Sequence, residues 1–178
     1  NELTEFRYAK DALTYPLILD GYQSSYEDEY QMRNVNGLHN DWIIGLPYLA
    51  ELPGLGSVAI AEADINNYAG MYVRRMGGQQ SFSVRADLSP HVDAEGKTDT
   101  SYAVETSTPF SSPWRVLMIA DEPAKLIDSN IVLNLNPPSK ITDTSWIQAG
   151  KSARDWWSGE SAPSVSFKTG MNKATMKH

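Results

Sequence analysis

Strict alternation of apolar and polar residues is the feature that most limits how this chain can fold. In residues 81–88, every second side chain is apolar, namely Phe82, Val84, Ala86 and Leu88, and the intervening ones are polar or charged. This alternation predicts a strand with one buried face, as in an antiparallel sheet. We therefore expect Phe82 and Val84 in the core.

Other runs carry the same β signature. Residues 72–76 precede Gly77-Gly78 and are the expected hairpin partner of residues 81–88. Residues 114–121 are apolar on both sides through their middle, which predicts a central strand covered on both faces, with Leu117 and Ile119 in the core. Further strands are predicted at residues 3–8, 13–19, 42–49, 57–63 and 131–135. Turn clusters separate the runs and no long helix intervenes, so residues 1–140 are predicted to form an antiparallel β-sandwich.

The character of the sequence changes after Ile141. The strand pattern stops, and Trp146, Trp156 and Trp157 lie within a dozen residues among small and polar ones. We predict a domain boundary between residues 136 and 151. Met171, Ala174 and Met176 have the spacing of a helix that would have only about two turns before the last residue, which indicates a chain cut inside a second domain. A frayed C-terminal tail is the alternative.

Charge and composition exclude some classes of function. The chain has 15 Lys and Arg against 22 Asp and Glu, a net charge of -7, so nucleic-acid binding is not expected. No run of 18 apolar residues is present, and none of the 178 residues is Cys. We therefore expect no membrane span, no disulfide and no thiolate metal site.

One acidic side chain stands out as a candidate ligand for a metal. In residues 57–64, Val58, Ile60 and Glu62 share one face, whereas three alanines form the narrow opposite face, which suits close packing against another layer. Burial of an ionised carboxylate is costly unless it is paired or bound to a metal. Glu62 is thus either a strand-end carboxylate that reaches water beside an arginine, or an oxygen ligand for a hard cation such as Ca²⁺.

Two aromatic segments are candidates for sugar binding. Tyr22, Tyr26 and Tyr30 have helical spacing, and three acidic residues lie between the last two, which suits either a sugar-binding surface or an ordinary domain surface. Near the C-terminus, Asp155 and Trp157 combine a charged group with an indole face, a combination typical of sugar sites. Packing between two domains explains that second segment equally well. No catalytic nucleophile motif is recognised, so we assign no catalytic residue.

Several short motifs together resemble glycoside hydrolase family 97. They are Tyr26-Glu27, Gly45-Leu46-Pro47, Ala61-Glu62-Ala63-Asp64-Ile65, Tyr68-Ala69-Gly70-Met71, Trp146-Ile147, Gly150-Lys151, Asp155-Trp156-Trp157, Val165-Ser166-Phe167 and Gly170-Met171-Asn172. Their order and spacing cover nearly the whole chain. One departure is Arg154, where the family usually has Trp, and the chain also begins downstream of the usual start of the domain.

The resemblance implies a fold and an activity for the parent protein. It implies a mutarotase-like supersandwich at residues 1–140, incomplete at its start, followed at residues 141–178 by the linker and the first strand and helix of a catalytic (β/α)8 barrel. The parent would be a calcium-dependent, exo-acting α-glucosidase or α-galactosidase that hydrolyses oligosaccharides, in the periplasm or secreted. Glu62 would face the barrel and bind Ca²⁺, Asp155 and Trp157 would contact substrate, and the catalytic carboxylates would lie beyond His178.

A different class of function is also open. A stand-alone β-sandwich could bind carbohydrate or a protein partner without catalysis. A longer reading frame with downstream barrel carboxylates would exclude this alternative, and a frame that ends at His178 would support it.

Overall fold

The computed structural model describes residues 4–22, 24–78, 81–93, 95–151, 166, 168, 172–174 and 177. The chain divides into two compact units, Asn1–Pro138 and Ser139–His178. The predicted first strand and helix of the barrel fall largely on residues outside the described ones, so the assignment of residues 141–178 stays a prediction. Within the described residues, no helix is long and apolar enough to cross a membrane.

The first unit contains two antiparallel sheets, a short hairpin and two short helices. In chain order the strands are β1 (Glu5–Arg7), β2 (Leu13–Tyr15), β3 (Ile18–Leu19), β4 (Arg33–Asn34), β5 (Ile43–Ile44), β6 (Tyr48–Leu52), β7 (Gly56–Ala63), β8 (Met71–Met76), β9 (Ser83–Leu88), β10 (His91–Val92), β11 (Thr98–Asp99) and β12 (Trp114–Ala120), and the helices are α1 (Ala124–Ile127) and α2 (Ile131–Asn134). Sheet A has the order β1-β9-β8-β5-β3, sheet B has the order β12-β7-β6-β2-β4, and β10 pairs with β11. A 3-10 turn, Val35–Gly37, follows β4.

The two sheets pack against each other through one apolar core. Sheet A contributes Val73 and Val84, and sheet B contributes Tyr48 and Ile60, all fully buried. Phe82 is half-buried against this core, and Ala86 and Leu88 pack on it from the same face of β9. The predicted antiparallel β class and the predicted alternation of residues 81–88 are therefore confirmed.

The alanine face of β7 also packs as predicted, and the layer that covers it is helical. Ala59, Ala61 and Ala63 form a second buried cluster with Val116 and Met118 of β12, and residues of α1 and α2 pack against it. The small alanine side chains allow the two short helices to lie close to the sheet.

The prediction of a strand at residues 131–135 is wrong, because Ile131–Asn134 form α2 and Leu135 caps its C-terminus. The backbone N–H of Leu135 donates to the carbonyl oxygen of Ile131 at 3.1 Å. Val132 and Leu135 are three residues apart, which places both on one side of a helix but on opposite faces of a strand. Helical geometry therefore lets both pack on the alanine face.

The expectation that β12 is a central strand with Leu117 and Ile119 in the core is also wrong. The strand forms, but it lies at the end of the order of sheet B. Leu117 is 39% exposed and Ile119 is 76% exposed, whereas Val116 and Met118 are buried. Leu117 is paired across the ladder with Ile60, and Ile119 is paired with Val58. Residues of sheet A that bury Ile60 do not cover this outer strand.

The exposure of β12 predicts a contrast between two substitutions of similar size. Met118→Ala removes a side chain that is only 9% exposed, so it is expected to lower the free energy of unfolding by about 2–4 kcal/mol. Ile119→Ala is expected to change it by no more than about 0.5 kcal/mol, as for other exposed positions. Urea unfolding followed by tryptophan fluorescence measures both. Equal losses would mean that Ile119 is buried in solution.

Two runs predicted as single strands each divide between the sheets. Residues 13–19 form β2 in sheet B and β3 in sheet A, with Pro16 between them. Residues 42–49 form β5 in sheet A and β6 in sheet B, with Gly45-Leu46-Pro47 between them. A proline has no backbone N–H to donate, so a ladder ends where it occurs. The chain changes sheets at both positions.

Candidate functional site

Glu62 is the second-last residue of β7, on the face that carries Val58 and Ile60. Those two side chains are buried in the sandwich, whereas Glu62 is half-buried where the strand ends. The structure therefore has Glu62 at a strand end and on the face that the sequence pattern predicted. Whether this end of the sandwich faces a catalytic barrel stays a prediction.

The carboxylate of Glu62 binds a backbone group of the other sheet. The N–H of Met71, the first residue of β8, donates to Oε1 of Glu62 at 2.9 Å and to Oε2 at 3.1 Å. Sequence reasoning missed this contact, since every residue except proline has an N–H and no residue type marks the one that is used.

The loop between β7 and β8 has an unusual backbone. Asp64 and Asn67 have positive φ angles of 54° and 49°, which residues other than glycine adopt infrequently. The N–H of Asp64 donates to Oδ1 of Asn136 at 2.9 Å, and Nδ2 of Asn66 donates to Oδ1 of Asp64 at 2.5 Å. Asp and Asn adopt this conformation more readily than other residues that have a side chain.

Electrostatics favour a cation beside Glu62. Burial raises the pKa of its carboxyl above the ordinary value, and the Met71 N–H and the positive charge of Arg115 offset only part of this effect. The ionised form is therefore incompletely compensated, and an added positive charge would stabilise it. Carboxylate oxygen is the ligand that Ca²⁺ prefers, so the chemistry of this residue fits the ion. Among the described residues, no three metal-binding side chains lie together, so the described residues would supply only part of a calcium shell.

The raised pKa leads to a prediction for the chain without metal. Because the folded chain binds the proton of Glu62 more tightly than the unfolded chain, protonation of Glu62 adds stability below its ordinary pKa of 4.5. This added stability is lost as the pH rises through the pKa of Glu62 in the folded chain. Glu62→Gln is therefore expected to stabilise the chain at pH 7, by less than about 1 kcal/mol because the group is partly exposed, and to have little effect at pH 4. Urea unfolding at both pH values in a chelating buffer measures this. Destabilisation at pH 7 would contradict it.

Tyr26 lies close to Glu62. Burial raises the pKa of Tyr26 to about 12, and the charges of Tyr72 and Glu62 contribute to the increase. The Tyr26 ring packs over Gly45, where an added Cβ would lie 2.6 Å from ring atom Cε1. Because Gly45 has no side chain, the Tyr26 ring can pack directly on its backbone.

Tyr22 belongs to a polar network instead of a free aromatic surface. Its hydroxyl donates to Oδ2 of Asp87 at 2.7 Å and accepts from Nη2 of Arg74 at 2.7 Å. Arg74 also pairs directly with Asp87, and the hydroxyl of Tyr72 donates to the Tyr22 carbonyl at 2.8 Å. Tyr22 thus attaches the segment that follows β3 to strands β8 and β9.

The predicted sugar-binding residues Asp155 and Trp157 lie outside the described residues. Of that segment's tryptophans, Trp146 is described: it is largely exposed, and its indole N–H donates to the carbonyl of Asp143 at 3.0 Å. The roles assigned to Asp155 and Trp157 stay predictions.

Comparison with known proteins identifies the sandwich. The family model described as Glycosyl-hydrolase 97 N-terminal matches residues 1–138. A retaining alpha-galactosidase of Bacteroides thetaiotaomicron is 28% identical over 163 residues, which cover 86% of this chain and 25% of that protein. The chain therefore spans about a quarter of the length of this relative.

Solved structures agree with the family match. A glycoside hydrolase family 97 enzyme from Pseudoalteromonas sp. strain K8, in complex with acarbose, has a TM-score of 0.65 and 28% identity over 88% of this chain and 22% of its own. A glycoside hydrolase family 97 enzyme from the same strain, in complex with panose, has a TM-score of 0.64 and 27% identity. That match covers 86% of this chain and 22% of the enzyme's chain. The resemblance inferred from the sequence is thus confirmed, and the chain belongs to glycoside hydrolase family 97 through the N-terminal domain of that family.

Proposed function

We propose that this chain is the non-catalytic N-terminal part of a calcium-dependent, exo-acting α-glycosidase that hydrolyses oligosaccharides. The observation that carries the proposal is the match of the family's N-terminal domain to residues 1–138. The half-buried carboxylate of Glu62, at the end of β7, supports the calcium dependence.

Both an α-galactosidase and an α-glucosidase fit the proposal. One relative is named a retaining alpha-galactosidase, and two of the solved relatives are complexes with acarbose and panose. In the proposed enzyme, the catalytic acid and base belong to the barrel. Asp155 and Trp157 contact the sugar, and the enzyme acts in the periplasm or outside the cell.

Glu62 has a limited role in this proposal. Ca²⁺ takes six to eight oxygen ligands, and within the described residues no group of three metal-binding side chains includes Glu62. When bound, the ion would supply Lewis-acid and charge-stabilising chemistry. The chain itself holds the Glu62 carboxylate in place through the N–H of Met71 and leaves its remaining oxygen lone pairs for the ion.

The proposal predicts that the 178-residue chain alone has no glycosidase activity. Glycoside hydrolysis uses two carboxyl groups about 5 to 9.5 Å apart on either side of the bond, and a barrel with only its first strand cannot hold such a pair. We expect no release of nitrophenol from nitrophenyl α-galactoside or α-glucoside by the chain. The intact parent should hydrolyse one of them. Turnover by the pure chain, or an inactive parent, would contradict the proposal.

The alternative function is a binding module without catalysis. The described β-sandwich is compatible with it, and the reading frame of the parent distinguishes the two. A frame that continues into barrel carboxylates supports the glycosidase, and a frame that ends at His178 supports the module.

A further inference from the structure

An open cleft of about 670 Å³ lies on the first unit next to the candidate site. Residues 67–70 line one side, and residues 89–92 and 102–105 line the other. The N–H of Ser89 donates to the carbonyl of Gly70 at 3.0 Å and joins the two sides. The cleft is therefore formed by the β7–β8 loop and by the chain around the β10–β11 hairpin.

The cleft begins beside Glu62. Gly70 lines it, and the position of a Cβ on Gly70 would be 3.8 Å from Oε1 of Glu62. The next residue along the chain is Met71, whose N–H binds the Glu62 carboxylate. Gly70 is therefore near both the Glu62 carboxylate and the cleft.

Aromatic rings occur on both sides of the cleft. Tyr68 and Tyr102 are half-buried, and each is stacked on a second ring. Tyr102 lies 4.8 Å from His91 at an interplanar angle of 17°, and Tyr68 lies 6.4 Å from Phe110 at 22°. The second ring restricts the orientation of each tyrosine. Flat rings with a polar hydroxyl suit a ligand that has both apolar faces and hydroxyl groups.

The charge of the cleft favours a neutral ligand. None of the described residues that line it is Lys or Arg, and Glu105 is the one acidic residue among them. A phosphate or nucleotide would find no cation there. Asn67, Ser89 and His91 supply hydrogen-bonding groups to the lining of the cleft.

We propose that this cleft is a saccharide subsite that binds units of a neutral oligosaccharide distant from the bond that is cleaved. The inference rests on the proposed glycosidase function. Tyr68 and Tyr102 stack on the sugar rings, and Ser89, His91 and Asn67 bind their hydroxyl groups. The subsite therefore selects chain length and leaves the chemical step to the barrel.

Direct binding tests the subsite in this chain. In a titration of the ¹⁵N-labelled chain with maltotetraose, and separately with a galacto-oligosaccharide, we expect one of the two to shift the amide signals of Gly70, Ser89 and Tyr102. Tyr68→Ala and Tyr102→Ala should each weaken binding about ten-fold, and Tyr102→Phe should retain it. Tyr15→Ala is the control, since Tyr15 lies on β2 of sheet B and does not line the cleft. Unchanged cleft signals with both sugars would overturn the subsite.

Kinetics of the intact enzyme separate the subsite from the proposed function. Tyr68→Ala and Tyr102→Ala should lower kcat/KM for a tetrasaccharide about ten-fold through KM, and leave kcat/KM for the nitrophenyl monoglycoside unchanged. If the enzyme is active and both variants have wild-type kcat/KM values for the two substrates, the subsite proposal is wrong. The proposed glycosidase function would be unaffected by that result. Sugar binding at the cleft in a parent that hydrolyses neither substrate supports the subsite and contradicts the function.

Discussion

In the parent enzyme proposed above, Glu62→Gln is expected to lower calcium affinity and glycosidase activity together, each by at least about 10- to 100-fold. Loss of a residue that only orients a metal ligand already has an effect of this size, and loss of the ligand's charge should exceed it. Glutamine retains an oxygen that can accept the Met71 N–H, so the fold should persist. Calcium titration by calorimetry and turnover of the nitrophenyl substrate measure the two effects.

Glu122→Gln is the matched control for that experiment. Glu122 is exposed and follows β12 in the chain, and the substitution removes the same negative charge as Glu62→Gln. Wild-type values are expected for it in both assays. If Glu62→Gln also retained wild-type calcium affinity and activity, Glu62 would be an ordinary strand-end carboxylate.

Gly56→Ala is expected to lower the free energy of unfolding by about 3–5 kcal/mol. Gly56 has a φ of 114°, and an added Cβ would lie 2.4 Å from the carbonyl oxygen of Ala120. Alanine strains this backbone conformation, and the contact is with backbone of β12, which cannot move away without disturbing the ladder.

Gly54→Ala in the same turn is the comparison for that effect. Its φ is 73°, but no atom lies within 4 Å of an added Cβ. A loss of about 1–2 kcal/mol is therefore expected, from the left-handed conformation alone. Urea unfolding curves of the two variants measure the difference. Equal losses would show that the close approach of β12 adds nothing.

The sequence predicted strands well where burial differs between the two faces. The alternation of residues 81–88 and the alanine face of residues 57–63 each indicate one side of a sheet, and both are confirmed. Alternation is a local property of the chain, so one sequence suffices to detect it.

The predictions that failed depend on which strands are neighbours. Ile119 is apolar and lies in a strand, but its burial depends on what covers the end of sheet B. Local patterns do not contain that information. The crossings at Pro16 and Pro47 had a visible signal, since proline ends a ladder, yet the apolar residues on both sides favoured a single strand.

The sequence predicted the side chain of the candidate site, Glu62, but not the residues that surround it. Glu62 interrupts an apolar stripe, and that interruption is visible in the sequence. Its contact with Met71 and its closeness to Tyr26 arise from residues 9 and 36 positions away, which only the folded sheets bring together.

The bond between Glu62 and Met71 joins one sheet of the sandwich to the other. Glu62 belongs to sheet B and Met71 to sheet A, so both sheets determine where the carboxylate lies. A side chain fixed in this way loses little conformational entropy when it binds a ligand, since folding has already restricted its rotamers. An ion that reached Glu62 would meet a preorganised oxygen donor, and a change that separated the sheets would weaken binding without altering the carboxylate itself.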